Sequence, residues 1–310
     1  MKTRKHGING IISLIALTIT ACISTPEPNK DTKPKAGDII VSSTGIELVY
    51  IPAGTFTMGS PASETEDFAN PYLDNERLQH QVTLSAFYMG KYEVTQEQYQ
   101  TVMGTNPSDF SSEPADGEMQ GKRPVEQVTW YDTIEFCNAL SVLEGLTPYY
   151  NINKEQPDLN NTCAYDPLEW LITLNTSADG YRLPTEAQWE YACRAGTTTA
   201  YNTGARISDS TGWYDANGGE KTHEVGKKTP NAWGLYDMHG NVFEWCWDWY
   251  GSYSSRAQTD PQGTSSGSDR VFRGGYWFSS AGNVRSARRN YSDPSDHGRN
   301  IGLRAVRPVQ

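Results

Sequence analysis

Apolar and polar residues alternate in three separate stretches of the chain. The first has an apolar run over residues 47–51, a Pro-Ala-Gly turn at 52–54, and a second short run that reaches Gly59. Residues 81–90 alternate in the same way, and so do residues 301–307 near the end. A period of two places successive side chains on opposite faces of an extended chain, so these stretches predict short β-strands.

Three helices are indicated by start and stop signals. Each begins at a residue type that caps helix N-termini and ends before a glycine, which readily takes the left-handed conformation of a helix C-terminus. The start signals are Thr95-x-x-Gln98, Thr129 or Asp132, and Thr185-x-x-Gln188, and the stop signals are Gly104, Gly145 and Gly196.

Much of the remaining chain has no regular period. Residues 147–180 form a long excursion rich in turn residues, and no repeat of fixed length is visible. The 28 Gly and 17 Pro of the chain favour turns over long helices and strands. A few capped helices beside scattered short strands predict a compact α+β domain over residues 44–310.

One aperiodic stretch lies between two well-marked anchors. It begins at the glycine pair Gly274 and Gly275, after a short strand-like run at 270–273, and ends at the alternating run 301–307. Small, polar and aromatic residues fill the interval. A loop held at both ends by a sheet is a common place for function, so we expect residues 273–300 to form the functional surface.

The N-terminus has the features of an export signal. Three basic residues precede a short apolar run at 11–20, which is too brief to span a membrane. The run ends in Ile-Thr-Ala-Cys22, which resembles a bacterial lipobox, so residues 1–21 are predicted to be a lipoprotein signal peptide and Cys22 the lipidated residue. An ordinary signal peptide with an incidental cysteine is the alternative.

The composition limits the partners of the mature protein. Residues 22–43 are rich in Pro and Lys and predict a flexible tether. Without residues 1–21 the chain has 23 basic and 37 acidic residues, a net charge of −14. Nucleic-acid binding needs clustered cations and is not expected, and attachment to a membrane would be covalent, through the lipid.

Four further cysteines stand too far apart for a zinc site. Three disulfide pairings are open to them, and so is a state in which all four are free and buried. They are Cys137, Cys163, Cys193 and Cys246.

Six motifs occur in the order typical of one protein family. The chain resembles the formylglycine-generating, or sulfatase-modifying, enzymes over about residues 45–310. This resemblance implies a C-type-lectin-like fold with added loops. The motifs are IPAGTFTMG at 51–59, KYEVTQEQY at 91–99, PVEQVTW at 124–130, YRLPTEAQWEYA at 181–192, NAWGLYDMHGNVFEW at 231–245 and RGG at 273–275.

The resemblance does not extend to the family's catalytic residues. The oxidases of the family bind copper through two cysteines that follow the glycine pair, and the matching positions here hold Ser279 and Val284. A hydroxyl is a poor Cu(I) ligand and valine has no donor atom, so we expect no catalysis and no copper. Related sulfoxide synthases bind iron through three histidines, and no H-x-x-x-H pair occurs here.

The resemblance also implies one structural calcium ion. The family's ligands match Asp237, Gly240, Val242 and Glu244 in this chain. Two carboxylates and two backbone carbonyls suit such a hard cation. The alternative is that Glu244 bonds to nearby backbone amides with no ion present.

The C-terminus resembles one branch of the family, the variable proteins of diversity-generating retroelements. In those systems template adenines are randomised, and randomised AAC codons cannot encode Lys, Glu, Gln, Met or Trp. Residues 276–300 contain no Lys, Glu, Gln or Met, and the one Trp there, Trp277, is at a position that the pattern keeps fixed. The candidate variable region spans residues 270–307; an ordinary Ser/Asp/Gly-rich loop is the alternative.

Within this region the pattern separates two kinds of position. The positions predicted to vary carry the aromatic, Ser, Asn and Asp residues that antibody-type binding surfaces favour. The predicted fixed residues are Trp277, Arg285, Ser286, Ala287 and Arg289, besides the closing strand. The predicted variable, ligand-binding residues are Tyr276, Phe278, Ser279, Ser280, Gly282, Asn283, Arg288, Tyr291, Ser292, Asp293, Asp296, His297, Gly298, Arg299 and Asn300.

The leading hypothesis is therefore a nonenzymatic lipoprotein of the cell envelope, exposed on the outer membrane, that binds varied ligands. A protein or glycan ligand, such as one on another cell, is the expected partner. Two rival hypotheses remain: an oxidative enzyme of the same fold with relocated metal chemistry, and a structural lipoprotein of an envelope complex with one unvarying partner.

Overall fold

The computed structural model describes residue 1, residues 33–61, residue 64 and residues 75–309. Residues 34–310 form one compact unit, which contains every helix and strand named below. The predicted signal peptide and Cys22 lie outside the described residues. In the described part of the chain, no helix has the length and apolar character needed to cross a membrane.

The unit is built from short strands and three α-helices. The helices are α1 (Gln96–Met103), α2 (Trp130–Leu143) and α3 (Glu186–Arg194). The strands are β1 (Ile39–Val41), β2 (Glu47–Ile51), β3 (Gly54–Met58), β4 (His80–Leu84), β5 (Phe87–Gly90), β6 (Tyr150–Pro157), β7 (Trp170–Leu174), β8 (Phe243–Trp249), β9 (Gln258–Thr259), β10 (Arg270–Arg273), β11 (Asn290–Ser292), β12 (Ile301–Gly302) and β13 (Val306–Pro308).

All three helices begin at a threonine capping box; the sequence predicts the boxes of α1 and α3 and leaves Thr129 or Asp132 open as the cap of α2. In such a box the N-cap hydroxyl accepts a backbone N–H from the first turn, and the N3 side chain accepts the N–H of the cap. α1 ends at Gly104 with a left-handed φ of 79°. α3 ends one residue before the predicted glycine, because Ala195 itself takes a left-handed φ of 45°. The boxes pair Thr95 with Gln98, Thr129 with Asp132 and Thr185 with Gln188.

Two four-stranded sheets organise the unit. One has the order β1-β2-β5-β13 and the other the order β11-β10-β8-β12, and β3-β4-β9 and β6-β7 form smaller sheets. α2 packs Trp130 and Phe136 into the same core as Trp245 and Phe272 of the second sheet. α3 places Trp189 in a second core that joins the two large sheets. The second sheet is therefore covered by side chains from two helices.

Three features differ from the sequence prediction. Residues 301–307 are not one strand, because β12 and β13 pair with different sheets and Arg304, between them, turns inward to bond Glu244. The excursion contains a hairpin, β6 and β7, whose register shifts between Asn153 and Pro157. The first strand, β1, falls inside the predicted tether and pairs with β2.

Candidate functional site

The aromatic and polar stretch predicted as the functional surface connects the ends of the second sheet. We call residues 274–300 the display segment. It begins with two glycines at left-handed φ angles of 95° and 79°. A Cβ on Gly275 would lie 2.4 Å from Cγ1 of Val284, so a glycine is required for this close turn. The segment then contributes β11 and returns across the sheet to β12.

The residues predicted to be fixed are buried. Each exposes 4% or less of its surface, so these positions form the underside of the display segment. They are Trp277, Arg285, Ser286, Ala287 and Arg289.

Buried arginines attach the display segment to α3. Arg289 donates from Nε and Nη2 to the two carboxylate oxygens of Glu186, at 2.6 and 2.7 Å. Arg273, just before the segment, bonds both Glu186 and Glu190, at 2.6 and 2.7 Å, and also the carbonyl of Ser286. Burial alone would raise the pKa of Glu186, but the guanidinium groups of Arg289 and Arg273 hold it below its usual value. Both glutamates are therefore charged and paired.

A third buried arginine, Arg285, holds the middle of the segment. Arg285 donates to the carbonyl of Gly282 at 2.9 Å, to Glu64 at 2.7 Å, and to the buried carboxylate of Glu76. Charged hydrogen bonds whose donor and acceptor side chains are both little exposed fix the course of the backbone. The outward-facing residues are therefore carried on a rigid base.

Aromatic residues cluster at one end of the display segment. Trp277 donates from Nε1 to the carbonyl of Arg299 at 3.3 Å, which joins the two halves of the segment. Tyr276 and Phe278 flank it at ring-centroid distances of 5.4 and 5.6 Å. Phe278 is 52% exposed, and the Arg299 guanidinium lies 5.9 Å from the ring of Phe110. These side chains form a partly apolar, partly cationic surface.

Acidic and hydroxyl groups cluster at the other end. The Ser292 hydroxyl donates to Asp296 at 2.6 Å, and Asp293 accepts both the N–H and the hydroxyl of Ser295. The thiol of Cys163 donates to Asp293 at 2.9 Å, which links this end to the excursion. Tyr291 lies on the opposite face of β11 from Ser292, because side chains alternate along a strand, and it stacks on Tyr250 at 3.9 Å.

The other predicted variable residues differ in exposure. Three of them, Ser279, Gly282 and Arg288, are buried, which leaves them little area to offer a ligand. The exposed ones are Ser280 and His297, and the half-buried ones are Asn283, Gly298 and Asn300.

The positions that match the family's copper ligands have structural contacts. The Ser279 hydroxyl accepts the N–H of Tyr276 at 3.1 Å. Val284 is fully buried and packs with Tyr201 and Tyr214. In residues 33–61, 64 and 75–309, no three His, Cys, Asp or Glu side chains converge in the manner of a metal site. The four cysteines there are buried and free, which was one of the states left open.

The two predicted carboxylate ligands of calcium differ in whether they have an oxygen available for an ion. Glu244 accepts the guanidinium of Arg304 on both carboxylate oxygens, at 2.6 to 3.0 Å, and Trp189 Nε1 at 2.7 Å. Asp237 is also buried, and burial raises its pKa to about 6. Its Oδ2 accepts the N–H of Gly226, whereas Oδ1 has no hydrogen-bond partner. Asp237 therefore has an oxygen to offer a cation, and Glu244 is engaged by Arg304.

Sequence reasoning missed Phe110 and the carboxylate that positions it. The Phe110 ring packs edge-on against Trp277 at 5.5 Å, so the loop before α2 forms a fixed wall of the site. Glu126 accepts the N–H groups of Phe110 and Asp109 at 2.9 and 3.1 Å. Burial raises the pKa of Glu126 to about 7. The Asp-Phe pair in this turn-rich loop gave no signal, since its role depends on contacts distant in the sequence.

The short mixed sheets, the three helices and the long ordered loops define a C-type-lectin-like fold. The chain belongs to the family of sulfatase-modifying factor enzyme 1-like domains, whose model matches residues 40–309.

Three relatives show how widely the function of similar chains varies. The solved structure of Treponema denticola variable protein 1 has a TM-score of 0.74 and 37% identity, and the match covers 88% of this chain and 99% of that one. A chaperone protein LppX of Paenibacillus barcinonensis is 43% identical over 245 residues, 73% of this chain and 81% of that protein. A formylglycine-generating enzyme of Bos taurus is 29% identical over 289 residues, 84% and 74% of the two chains.

The raised pKa of Glu126 predicts a pH-dependent contribution to stability. A carboxyl whose folded pKa is about 7, against an ordinary 4.5, contributes stability that is present below pH 4.5 and lost as the pH rises to 7. We expect the stability advantage of the native chain over Glu126→Gln to shrink by up to about 3 kcal/mol between pH 4 and pH 8. Urea unfolding at both pH values measures it. The exposed Glu155→Gln control should show no such change, and an equal difference at both pH values contradicts the assignment.

Proposed function

We propose that this protein is a nonenzymatic ligand-binding protein whose display segment is diversified by a retroelement. One observation carries the proposal: the residues that the pattern keeps fixed are buried in ion pairs and packing, while twelve of the fifteen that it varies are exposed or half-buried. A diversified binding protein needs this separation, because its surface must change while its support does not. The likeness to Treponema denticola variable protein 1 supports the same function.

The chemistry of the exposed set suits binding to varied ligands. Phe278 and the half-buried Tyr276 provide large rigid rings, and Ser280, Asp296 and Arg299 provide hydrogen bonds and charge around them. The arginine-held base keeps the surface ordered before a ligand arrives, which lowers the entropic cost of binding.

Loss of the family's oxidase chemistry is part of the proposal. The hydroxyl at 279 already serves the turn at Tyr276, and Val284 fills a core. Neither side chain offers a thiolate to copper. The proposed protein binds its partner and releases it unchanged.

We place the protein on the cell envelope through a lipid on Cys22, exposed at the outer membrane. The Pro- and Lys-rich stretch that follows would hold the domain away from the membrane. A protein or glycan ligand is the expected partner, and nucleic acid is not, given a mature net charge of −14 from 23 basic and 37 acidic residues.

A second candidate function is the binding of one constant protein partner. The 43% identity with a chaperone protein LppX favours it, since a chaperone acts on other proteins without changing their covalent structure. This candidate requires the display segment to be the same in all copies of the gene.

Sequencing the DNA that flanks the gene tests the diversification. We expect a near-copy of the codons for 270–307 that differs only at adenines of the template. Differences should fall at exposed positions such as Phe278 and Arg299, and the codons for buried Arg285 and Arg289 should match. A flanking region without such a repeat would refute the retroelement and leave the constant-partner candidate.

Growth with radiolabelled palmitate tests the anchor. We expect label on the native protein and none on Cys22→Ser, which should leave the membrane fraction because its acyl chains are absent. Cys163→Ser is the matched control and should keep the label. Equal labelling of the native protein and Cys22→Ser would exclude lipidation at that residue.

Calcium binding remains a prediction, and substitution of Asp237 tests it. Its unpartnered Oδ1 would supply one ligand, with backbone carbonyls such as those of Gly240 and Val242 supplying others. Saturating calcium is expected to raise the melting temperature of the native protein by on the order of 5 °C and that of Asp237→Asn by much less. Equal melting temperatures with calcium and with a chelator would refute the ion.

A further inference from the structure

Two of the most exposed large apolar side chains lie on one turn-rich loop, outside the display segment. Residues 158–169 connect β6 to β7, and within them Leu159 is 87% exposed and Tyr165 is 88% exposed. Single exposed apolar residues are ordinary on protein surfaces. Here two such residues share one loop, and the bonds within that loop fix where they lie.

The loop is internally ordered by three side chains that cap its own turns. Asp158 accepts the N–H of Asn160 at 2.9 Å, Asn161 accepts that of Cys163 at 2.9 Å, and Asp166 accepts that of Leu168 at 2.9 Å. Such side-chain-to-backbone bonds stabilise turns locally. Asp166 also accepts the Tyr131 hydroxyl of α2 at 2.6 Å. Leu159 and Tyr165 are therefore held in solvent by a fixed backbone.

The same loop is attached to the acidic end of the display segment. The Cys163 thiol donates to Asp293 at 2.9 Å, two residues from Tyr165. The loop is also bonded to the chain just before β10, where the N–H of Thr162 donates to the carbonyl of Gly267 at 2.9 Å and the N–H of Gly267 donates to the carbonyl of Asn160 at 3.1 Å. α2, which holds Asp166, also donates the N–H of Trp130 to the carbonyl of Pro294. The loop that carries the exposed pair is thus bonded to Asp293 of the display segment.

We infer that Leu159 and Tyr165 form a constant part of the binding surface and that the partner is a protein. This inference rests on the proposed function and adds to it the class of ligand. An aliphatic side chain such as Leu159 gains most when it is buried against other apolar groups, which protein surfaces supply and glycans mostly lack. Tyr165 supplies the aromatic anchor that is common at the centre of protein interfaces.

The charged side chains near Leu159 and Tyr165 indicate which kind of protein surface fits them. Glu155 and Glu169 flank the loop and are exposed, and Asp296 is exposed on the neighbouring display segment. Exposed carboxylates at both ends of a loop that carries an apolar pair fit a protein surface with Lys and Arg beside an apolar patch. In this arrangement the variable residues determine which protein binds. Leu159 and Tyr165 contribute the same apolar contacts to every such complex.

A display library tests whether the loop contributes to binding whichever partner the variable residues recognise. The whole chain, with the half-buried position 276 and the exposed positions 278, 280, 296 and 299 randomised to NNC codons, would be displayed on yeast and selected against two probe proteins, ubiquitin and streptavidin. Leu159→Ser and Tyr165→Ser would then be introduced together into several binders of each probe. We expect the dissociation constant to rise by about tenfold or more for every binder, whichever probe it was selected on.

Val142→Ser is the matched control. Val142 is an apolar residue that is 65% exposed at the far end of α2, about 18 Å along the helix from Trp130. It should leave every dissociation constant unchanged, and the melting temperatures of all variants should agree, which separates lost contact from lost folding.

The outcomes distinguish the two proposals. Unchanged affinity in the Leu159→Ser, Tyr165→Ser binders overturns this inference and leaves the proposed function intact. A library that yields no binder for either probe overturns the proposed function and this inference with it. Binding of the native chain to a glycan array that survives both substitutions would also overturn the protein ligand.

Discussion

The pairing of buried arginines with buried glutamates is the constraint on which the rest of the structure depends. Arg273 and Arg289 meet Glu186 and Glu190 in the N-terminal half of α3, and none of these side chains is exposed by more than a few per cent. Removing one partner from such a pair leaves a charge in a medium that solvates it poorly, at a cost of about 3–5 kcal/mol. The glycine turn, β10 and the display segment can therefore sit on α3 in one arrangement only.

This constraint explains how one segment can serve both as scaffold and as surface. Inward-facing residues are fixed by charge and packing, and outward-facing residues such as Phe278 and Arg299 make few contacts that the fold requires. Substitutions at the outward positions change the surface at little cost in stability, since exposed sites away from such networks tolerate replacement. A family whose other members include formylglycine-generating enzymes can in this way change its outward-facing residues on the same backbone.

Local signals in the sequence were sufficient for the helices and the limits of the display segment. Thr95 and Thr185 act through residues three positions away, so their capping boxes could be identified directly, whereas the structure was needed to select Thr129 over Asp132 as the cap of α2. The fold was predicted from the six motifs that resemble the formylglycine-generating enzymes. The wall formed by Phe110 could not be predicted, because it depends on Glu126 and Trp277, which only the folded chain brings near. The inward turn of Arg288 and the break between β12 and β13 are likewise set by tertiary contacts.

The position of β12 and β13 in the chain has a consequence for protein synthesis. Both strands follow the display segment, one completes each large sheet, and Arg304 between them neutralises Glu244. A ribosome that shifts frame anywhere in the display segment produces a chain without these strands and with Glu244 buried beside no cation. Such a chain cannot close its sheets. Completion of both large sheets thus depends on the reading frame of the display segment that precedes these strands.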